Sequence, residues 1–497
     1  MIAPARLAAY DVLRAVNASR SDLPGALAVV RSRLADERDR ALAGEIVTGT
    51  LRWQGSFDAI IEVFARRPVT ELDSEVLDIL RMTTFQLIHL DRIPASAAVN
   101  DAVALTGKVG KRSASGLVNA ILRRISRERD RLPLPRNPKK VAGTFAGKVP
   151  ATFSQNASNS DVNEAASAQP EQKNVPATFW GKVPATFLEQ ALDYLEKTLS
   201  HPRWLIARWL DRYGFEAAEQ WAMFDNAPAA LTLRANTLRI TRDALIERLA
   251  ALGVETEPTR FAPHGLTVGR GNPLSRAIAD EGLFFVQDES SQLVAELVSA
   301  AAGERILDGC ASPGGKTTAM AAAMGNRGLI VATDLRGRRV ELLARTIATL
   351  GATCARVVQA DASAVLPFRE PFDAVLLDAP CSGLGTLRRD PDIRWRRSAG
   401  ELKRFAATQI EMLNRVAAAV DPGGRIIYAT CSSEPEENEQ VVADFLASHH
   451  EFVQAPERIP ASMARFVTAD GHFRTLPFRD ELEAFFAAIL VKTKDFR

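Results

Sequence analysis

Up to about residue 131, apolar positions recur three and four apart. Leu7, Tyr10, Val12-Leu13 and Val16 share one helical face, as do Ile46, Leu51, Phe57, Ile60-Ile61 and Phe64. Leu77, Ile79-Leu80 and Phe85-Gln-Leu87-Ile88 continue the pattern, and no alternating run interrupts it. The pattern predicts an all-helical domain over 1–133. At 134–188 the texture breaks. Gly147-Lys-Val-Pro-Ala-Thr-Phe153 recurs as Gly181-Lys-Val-Pro-Ala-Thr-Phe187, with a partial copy at Val175–Phe179 and polar sequence between. Such composition buries little and reads as a mobile, low-complexity insertion or linker.

Helical spacing returns at Leu192, Leu195 and Leu199. Short strand-like pieces then mix with a helix: Leu231–Asn236, Thr241–Leu252, Leu266–Val268 and Leu283–Val286. A helical linker and small α+β module are expected over 189–300. From 301 to 497, strands alternate with helical stretches: Arg305–Asp308, Leu329–Asp334, Ala355–Val358, Asp373–Asp378 and Arg425–Thr430. That alternation predicts a mostly parallel sheet covered on both faces. Its strand ends carry Asp308, Asp334, Asp378 and Thr430-Cys431, with Asp361 just past the third strand. Ligands bind outside the carboxyl ends of such strands, so these polar positions should converge on one crevice.

Bulk composition adds limits. A chain of 497 residues calls for two or three domains, and 46% hydrophobic content supports sizeable cores. A net charge of +2 argues neither for nor against nucleic acid. Locally, Lys108, Lys111, Arg112, Arg123, Arg124, Arg127, Arg129 and Arg131 outnumber Glu128 and Asp130, as if one helix were basic at its end. Such a face is solvated by default and becomes phosphate-contacting where the substrate is a nucleic acid. No apolar run is long enough to span a bilayer, and the first residues lack a secretory apolar core. Four cysteines, at 310, 354, 381 and 431, lack metal-ligand spacing and are too few for a disulfide scaffold. The expected setting is a reducing cytoplasm, without metal or membrane and with a monomer as the default. His201, before a proline, reads as a helix-start contact, and Cys354 as a small buried hydrophobe.

The candidate chemistry starts at Arg305-Ile-Leu-Asp-Gly-Cys-Ala-Ser-Pro-Gly-Gly-Lys-Thr-Thr318, a strand, a Gly-containing turn and a helix. A Walker A loop would need Gly at 310, which is Cys310, and the Gly-x-Gly-x-x-Gly fingerprint is absent. An S-adenosylmethionine-type loop remains. Two further cysteines stand at neighbouring strand ends, in Asp378-Ala-Pro-Cys381-Ser-Gly and Tyr428-Ala-Thr-Cys431-Ser. A thiolate there is a strong nucleophile, and a helix starting after Cys431, over Ser432–Val442, would lower its pKa.

From about residue 191 onward the chain resembles the RNA cytosine-5 methyltransferases of the RsmB/Sun/Fmu (NOL1/NOP2/Sun) family. The resemblance rests on Cys310–Lys316, Asp378-Ala-Pro-Cys-Ser-Gly383, Asp390-Pro-Asp-Ile-Arg-Trp395, Thr430-Cys-Ser432 and Glu436-Glu-Asn438. Val286-Gln-Asp-Glu289 and Ser291-Gln-Leu293 fit the run ahead of the cofactor loop, and residues 1–131 resemble a NusB-like RNA-binding domain. The chain departs from the family in the 134–188 insertion and at Thr346, where many members have Asn, neither expected to touch the chemistry.

The resemblance implies a multidomain protein. An all-α NusB-like domain would be followed by a small α+β domain and a C-terminal α/β Rossmann-like S-adenosylmethionine-dependent methyltransferase domain. It implies methyl transfer from S-adenosyl-L-methionine to C5 of a cytosine in 16S rRNA, free or in a small-subunit assembly intermediate. Cys431 would attack C6, Cys381 would assist release, and Asp378 would bond the base near N3. Cys310, Ala311, Ser312, Pro313, Gly314, Gly315 and Lys316 would line the cofactor, the last three at its methionine end. Asp334 would take its ribose, Asp361 its adenine edge, and Asp378 would also border it. Both sulfurs must then share one cleft.

Three rivals remain. A DNA cytosine-5 methyltransferase would use Cys381 as its nucleophile. A non-catalytic RNA-binding or ribosome-assembly factor would keep the fold without the chemistry. A cytosine-5 methyltransferase could also act on another RNA.

Overall fold

The computed structural model describes residues 2–139, 185–275, 278 and 280–494, so most of the insertion expected at 134–188 lies outside the described residues. The chain forms two compact units, Met1–Asn226 and Ala227–Arg497.

The first unit is helical. Seven α-helices run in order: α1 Pro4–Asn17, α2 Leu23–Arg31, α3 Glu37–Arg52, α4 Gln54–Ala65, α5 Ser74–His89, α6 Ala95–Lys108 and α7 Ser115–Glu128. Asp22 and Asp36 cap α2 and α3 by accepting from Gly25 N at 2.9 Å and Arg38 N at 2.7 Å. On α7 the apolar positions Val118, Ile121, Leu122 and Ile125 form one stripe buried in the same core as Phe57 and Ile61 of α4 and Leu80 of α5. The basic positions do not lie on one helix. Lys108 ends α6, Lys111 and Arg112 lie in the turn after it, and Arg123, Arg124 and Arg127 belong to α7. Gly110, at φ +79°, breaks what the charge pattern alone made continuous.

The helices Ala185–Asp193 and Arg203–Asn226 complete this unit, the second kinked at Gly214. His201 is fully buried, with Nδ1 2.6 Å from the Leu199 carbonyl and its ring beside Trp209, so it belongs to the packing around the helix start.

The second unit holds two sheets. The smaller comprises β1 Thr232–Ala235, β2 Glu255–Pro258, β3 Gly265–Arg270 and β4 Phe284–Val286, in the order β2-β3-β1-β4 and antiparallel throughout. Helix Arg242–Ala250, capped by Thr241, packs Leu245 and Leu249 into its core. β2 is polar, exposed and ends in Pro258, as suits an edge, and so it carries no alternating signal.

The larger sheet contains β5 Arg305–Asp308, β6 Leu329–Asp334, β7 Ala355–Gln359, β8 Phe372–Asp378, β9 Val420–Thr430, β10 Phe452–Gln454, β11 Phe473–Arg474 and β12 Phe486–Lys492. Their order is β10-β12-β9-β8-β5-β6-β7, with β11 on β12. The five strands β5 to β9 pair in parallel, whereas β12 runs antiparallel to β9 and β10 antiparallel to β12. Successive residues go to opposite faces: Ile306, Ile330, Leu376 and Ile427 to one core, and Leu307, Val331, Leu377 and Tyr428 to the other. Helices Glu289–Leu297, Gly315–Ala323 and Gly337–Leu350 cover the first face; Leu402–Ala417 and Glu439–Ser448 cover the second. Strand order reverses between β5 and β8, which opens the crevice there. Among the described residues, no helix is long and apolar enough to cross a membrane.

Candidate active site

β5 delivers Asp308 to the crevice. The chain then turns through Gly309–Gly314 into the helix starting at Gly315. Gly314 has φ +105°, a conformation that favours glycine, and a Cβ there would press on Leu343 Cδ1 at 3.0 Å and Thr346 Cγ2 at 3.1 Å. Thr346 thus packs against the turn at Gly314.

Arg339 clasps this loop from the next strand–helix connection, donating to the Ser312 carbonyl at 2.6 Å and to Asp334 Oδ2 at 3.0 Å. From the small sheet, the buried Arg234 donates to the Gly315 carbonyl and, at 2.8 Å, to Thr318 Oγ1. Burial among neutral acceptors lowers its pKa to about 10.

Carboxylates gather around the loop. Asp308 is 1% exposed and accepts from Thr317 Oγ1 at 2.7 Å. Burial lifts its pKa to about 7, moderated by that hydrogen bond and raised again by the charge of Asp378. Lys316 Nζ lies 2.6 Å from Asp378 Oδ2 at the end of β8. Burial works against the ammonium form, but the Asp378 carboxylate outweighs it and leaves Lys316 above its ordinary value. Burial also pushes up the Cys310 thiol, helped by the charges of Asp378, Asp308 and Asp334. Asp361, just past β7, turns onto Ser363, whose hydroxyl donates at 2.6 Å and holds the carboxyl below its usual range. Four acidic groups and the backbone of a glycine turn suit the ribose hydroxyls and amino group of S-adenosylmethionine.

Across the crevice, Cys381 and Cys431 follow β8 and β9, and their sulfurs stand 3.2 Å apart. Cys381 is pushed well above the ordinary thiol value, first by its hydrogen bond with Cys431, then by burial and the charges of Cys431 and Glu437. Cys354, by contrast, is a buried member of the hydrophobic core.

The segment Ser432–Val442 does hold a helix start, set back from the sulfur: a 3-10 turn covers Pro435–Glu437 and the α-helix begins at Glu439, after the buried Ser432, Ser433 and Glu434. Polar side chains fill the space that a helical turn would occupy: Thr430 Oγ1 donates to Asn438 Oδ1, and Asn438 Nδ2 to the Ser432 carbonyl.

Gly385 passes beside this turn, its N–H on the Cys431 carbonyl at 2.9 Å and its carbonyl accepting from Ala484 N at 2.9 Å. A Cβ on it would overlap the Ala484 carbonyl oxygen. Gly385→Ala is therefore expected to cost about 3 kcal/mol and lower Tm by roughly 6–12 °C in a thermal melt. An unchanged melt would show that the loop yields freely.

The sequence reading missed Arg234, Arg339 and the serine–glutamate contacts beneath the cysteines. The one visible signal for the last was that Ser follows both cysteines.

Comparison with known proteins agrees with this architecture. Residues 295–491 match the family model for the 16S rRNA methyltransferase RsmB/F, 3–127 that of the NusB family, and 201–275 the RsmF/B-like ferredoxin-like domain. The chain is 30% identical over 469 residues to the probable ribosomal RNA small subunit methyltransferase B of Bacillus subtilis (strain 168), covering 93% of each chain. It is 32% identical over 496 residues to the protein of the same description from Synechocystis sp. (strain ATCC 27184 / PCC 6803 / Kazusa), covering 98% of this chain and 99% of that one. The crystal structure of PH0851, 24% identical, shares the fold with a TM-score of 0.74 over 99% of each chain.

Proposed function

Because this chain belongs to the RsmB/F family of 16S rRNA methyltransferases, we propose that it methylates C5 of a cytosine in small-subunit rRNA through a covalent bond between Cys431 and C6 of the base. S-adenosylmethionine is the cofactor and supplies the methyl group as an electrophile. The loop Cys310–Lys316 with Asp334 and Asp361 would hold it, and Asp378 would border it.

C5 of an aromatic pyrimidine is a poor nucleophile. Attack of the Cys431 thiolate on C6 breaks the ring's conjugation and places electron density on C5, which can then form the new carbon–carbon bond. Loss of the C5 proton and departure of the Cys431 sulfur restore the ring as 5-methylcytosine. Splitting one high barrier into two lower ones is the gain from the covalent step. Asp378 bonds the base near N3, and the Lys316 ammonium against it offsets negative charge developing on the ring. The observation that carries this reading is the 3.2 Å approach of two sulfurs from adjacent strand ends. Its hydrogen bond with Cys431, then burial and neighbouring charge, raise the Cys381 thiol, which suits a proton donor beside the departing sulfur.

The test is methyl transfer by the purified chain to small-subunit rRNA and to DNA side by side, with bisulfite sequencing of rRNA from cells with and without the gene. One protected cytosine, lost with the gene, is expected. Methylation of DNA instead would return the nucleophile to Cys381. Absence of any transfer, together with no S-adenosylmethionine binding in calorimetry, would leave an RNA-binding assembly factor.

A further inference from the structure

Two Cys-Ser dipeptides follow adjacent strands and face each other pairwise. Sulfur meets sulfur at 3.2 Å between Cys381 and Cys431, and hydroxyl meets hydroxyl at 3.2 Å between Ser382 and Ser432. Beneath them lies one fully buried carboxylate, Glu437. Both serine hydroxyls donate to its Oε2, each at 2.5 Å. Its Oε1 accepts the Ser382 backbone N–H at 2.8 Å and Gln409 Nε2 at 3.0 Å. The same Gln409 nitrogen donates to the carbonyl of Pro380 at 3.0 Å, and Tyr428 OH donates to the Glu437 carbonyl at 2.6 Å. Four donors thus converge on one acceptor-only group, which is the condition for burying a carboxylate at all.

We propose that Glu437 is a positioning residue for the cysteine pair: its carboxylate ties the two dipeptides together and holds their sulfurs within hydrogen-bonding reach during methyl transfer. The proposal rests on the reading that Cys431 is the nucleophile and Cys381 the release group. Each clamped hydroxyl belongs to the residue directly after its cysteine, so a shift of the carboxylate reaches both thiols with little slack to absorb it. Shifts on the scale of an ångström between reacting groups carry large rate penalties.

The side-chain chemistry gives a graded series. Glu437→Ala removes the clamp. Glu437→Gln keeps it in another form, because the amide oxygen can accept from Ser382 N–H and Gln409 while both serine hydroxyls turn to accept from the amide nitrogen.

Two readouts on the full-length chain test the idea. The first needs neither RNA nor cofactor: diamide takes one hydrogen from each thiol and becomes the hydrazine as the Cys381–Cys431 disulfide forms, so its rate in the folded protein reports the distance between the sulfurs. The second is steady-state methyl transfer. Glu437→Ala is expected to slow both disulfide formation and kcat by on the order of 30-fold or more, with S-adenosylmethionine affinity and the KM for RNA unchanged. Glu437→Gln should recover most of both. A merely structural role would lower Tm while leaving the disulfide rate and kcat per folded molecule at wild-type values, and that result overturns the proposal. Should Glu437→Ala fail to fold, Ser382→Ala and Ser432→Ala each remove one donor, and wild-type rates in both would overturn it equally. Failure of the underlying reading registers separately, as methylation that survives Cys431→Ser.

Discussion

Cys431→Ala protein is expected to transfer no measurable methyl groups to small-subunit rRNA, a fall in kcat/KM on the order of 10⁴-fold or more. The reason is chemical rather than structural. Without a bond at C6, C5 stays within an aromatic ring and presents no electron pair to a methyl donor. Cys381 is not expected to take over, since burial and the Glu437 charge still disfavour a thiolate there once Cys431 is removed. The residues expected to hold S-adenosylmethionine follow β5, β6 and β7 rather than β9, so its binding measured by calorimetry should survive. Loss of transfer with retained binding identifies the nucleophile. Continued methylation would show that another group attacks the base.

Cys381→Ala should fail differently, by holding on to its product. A protonated thiol 3.2 Å from the departing sulfur can stabilise the thiolate that elimination releases. Without that donor the last step slows, turnover drops by about 10²-fold, and protein covalently linked to RNA accumulates. The adduct should run as a denaturation-stable band that nuclease treatment collapses. A variant that turns over slowly but shows no more of this band than wild type would remove Cys381 from the release step.

Much of the catalytic domain could be read before its structure. β5, β6 and β8 are apolar runs ending in Asp308, Asp334 and Asp378, and a sheet buried on both faces makes such runs continuous. The position of Cys381 and Cys431 after successive strands already implied one crevice, because parallel strands carry their ends to the same edge. Other features left no periodic trace. β12 is a continuous apolar run, Phe486-Ala-Ala-Ile-Leu-Val491, which spacing alone does not distinguish from a buried helix. The basic stretch around residue 110 read as one helix because charge counts do not register a turn.

The buried polar run after Cys431 is the least legible part of the site. Ser432, Glu437 and Asn438 look like surface residues in a sequence, yet they are buried, and their meaning lies in partners on other elements such as Gln409. Hydrogen-bond satisfaction at a distance is not encoded in local pattern.

The antiparallel insertion of β12 beside β9 also has a consequence for synthesis on the ribosome. The strand that ends at Thr430 can pair fully with its outer neighbour only after the 61 residues from Cys431 to Val491 have been made, which at cellular elongation rates takes roughly 3–12 s. Throughout that interval a nascent chain exposes a hydrophobic strand edge next to Cys431, a state prone to aggregation and suited to chaperone capture.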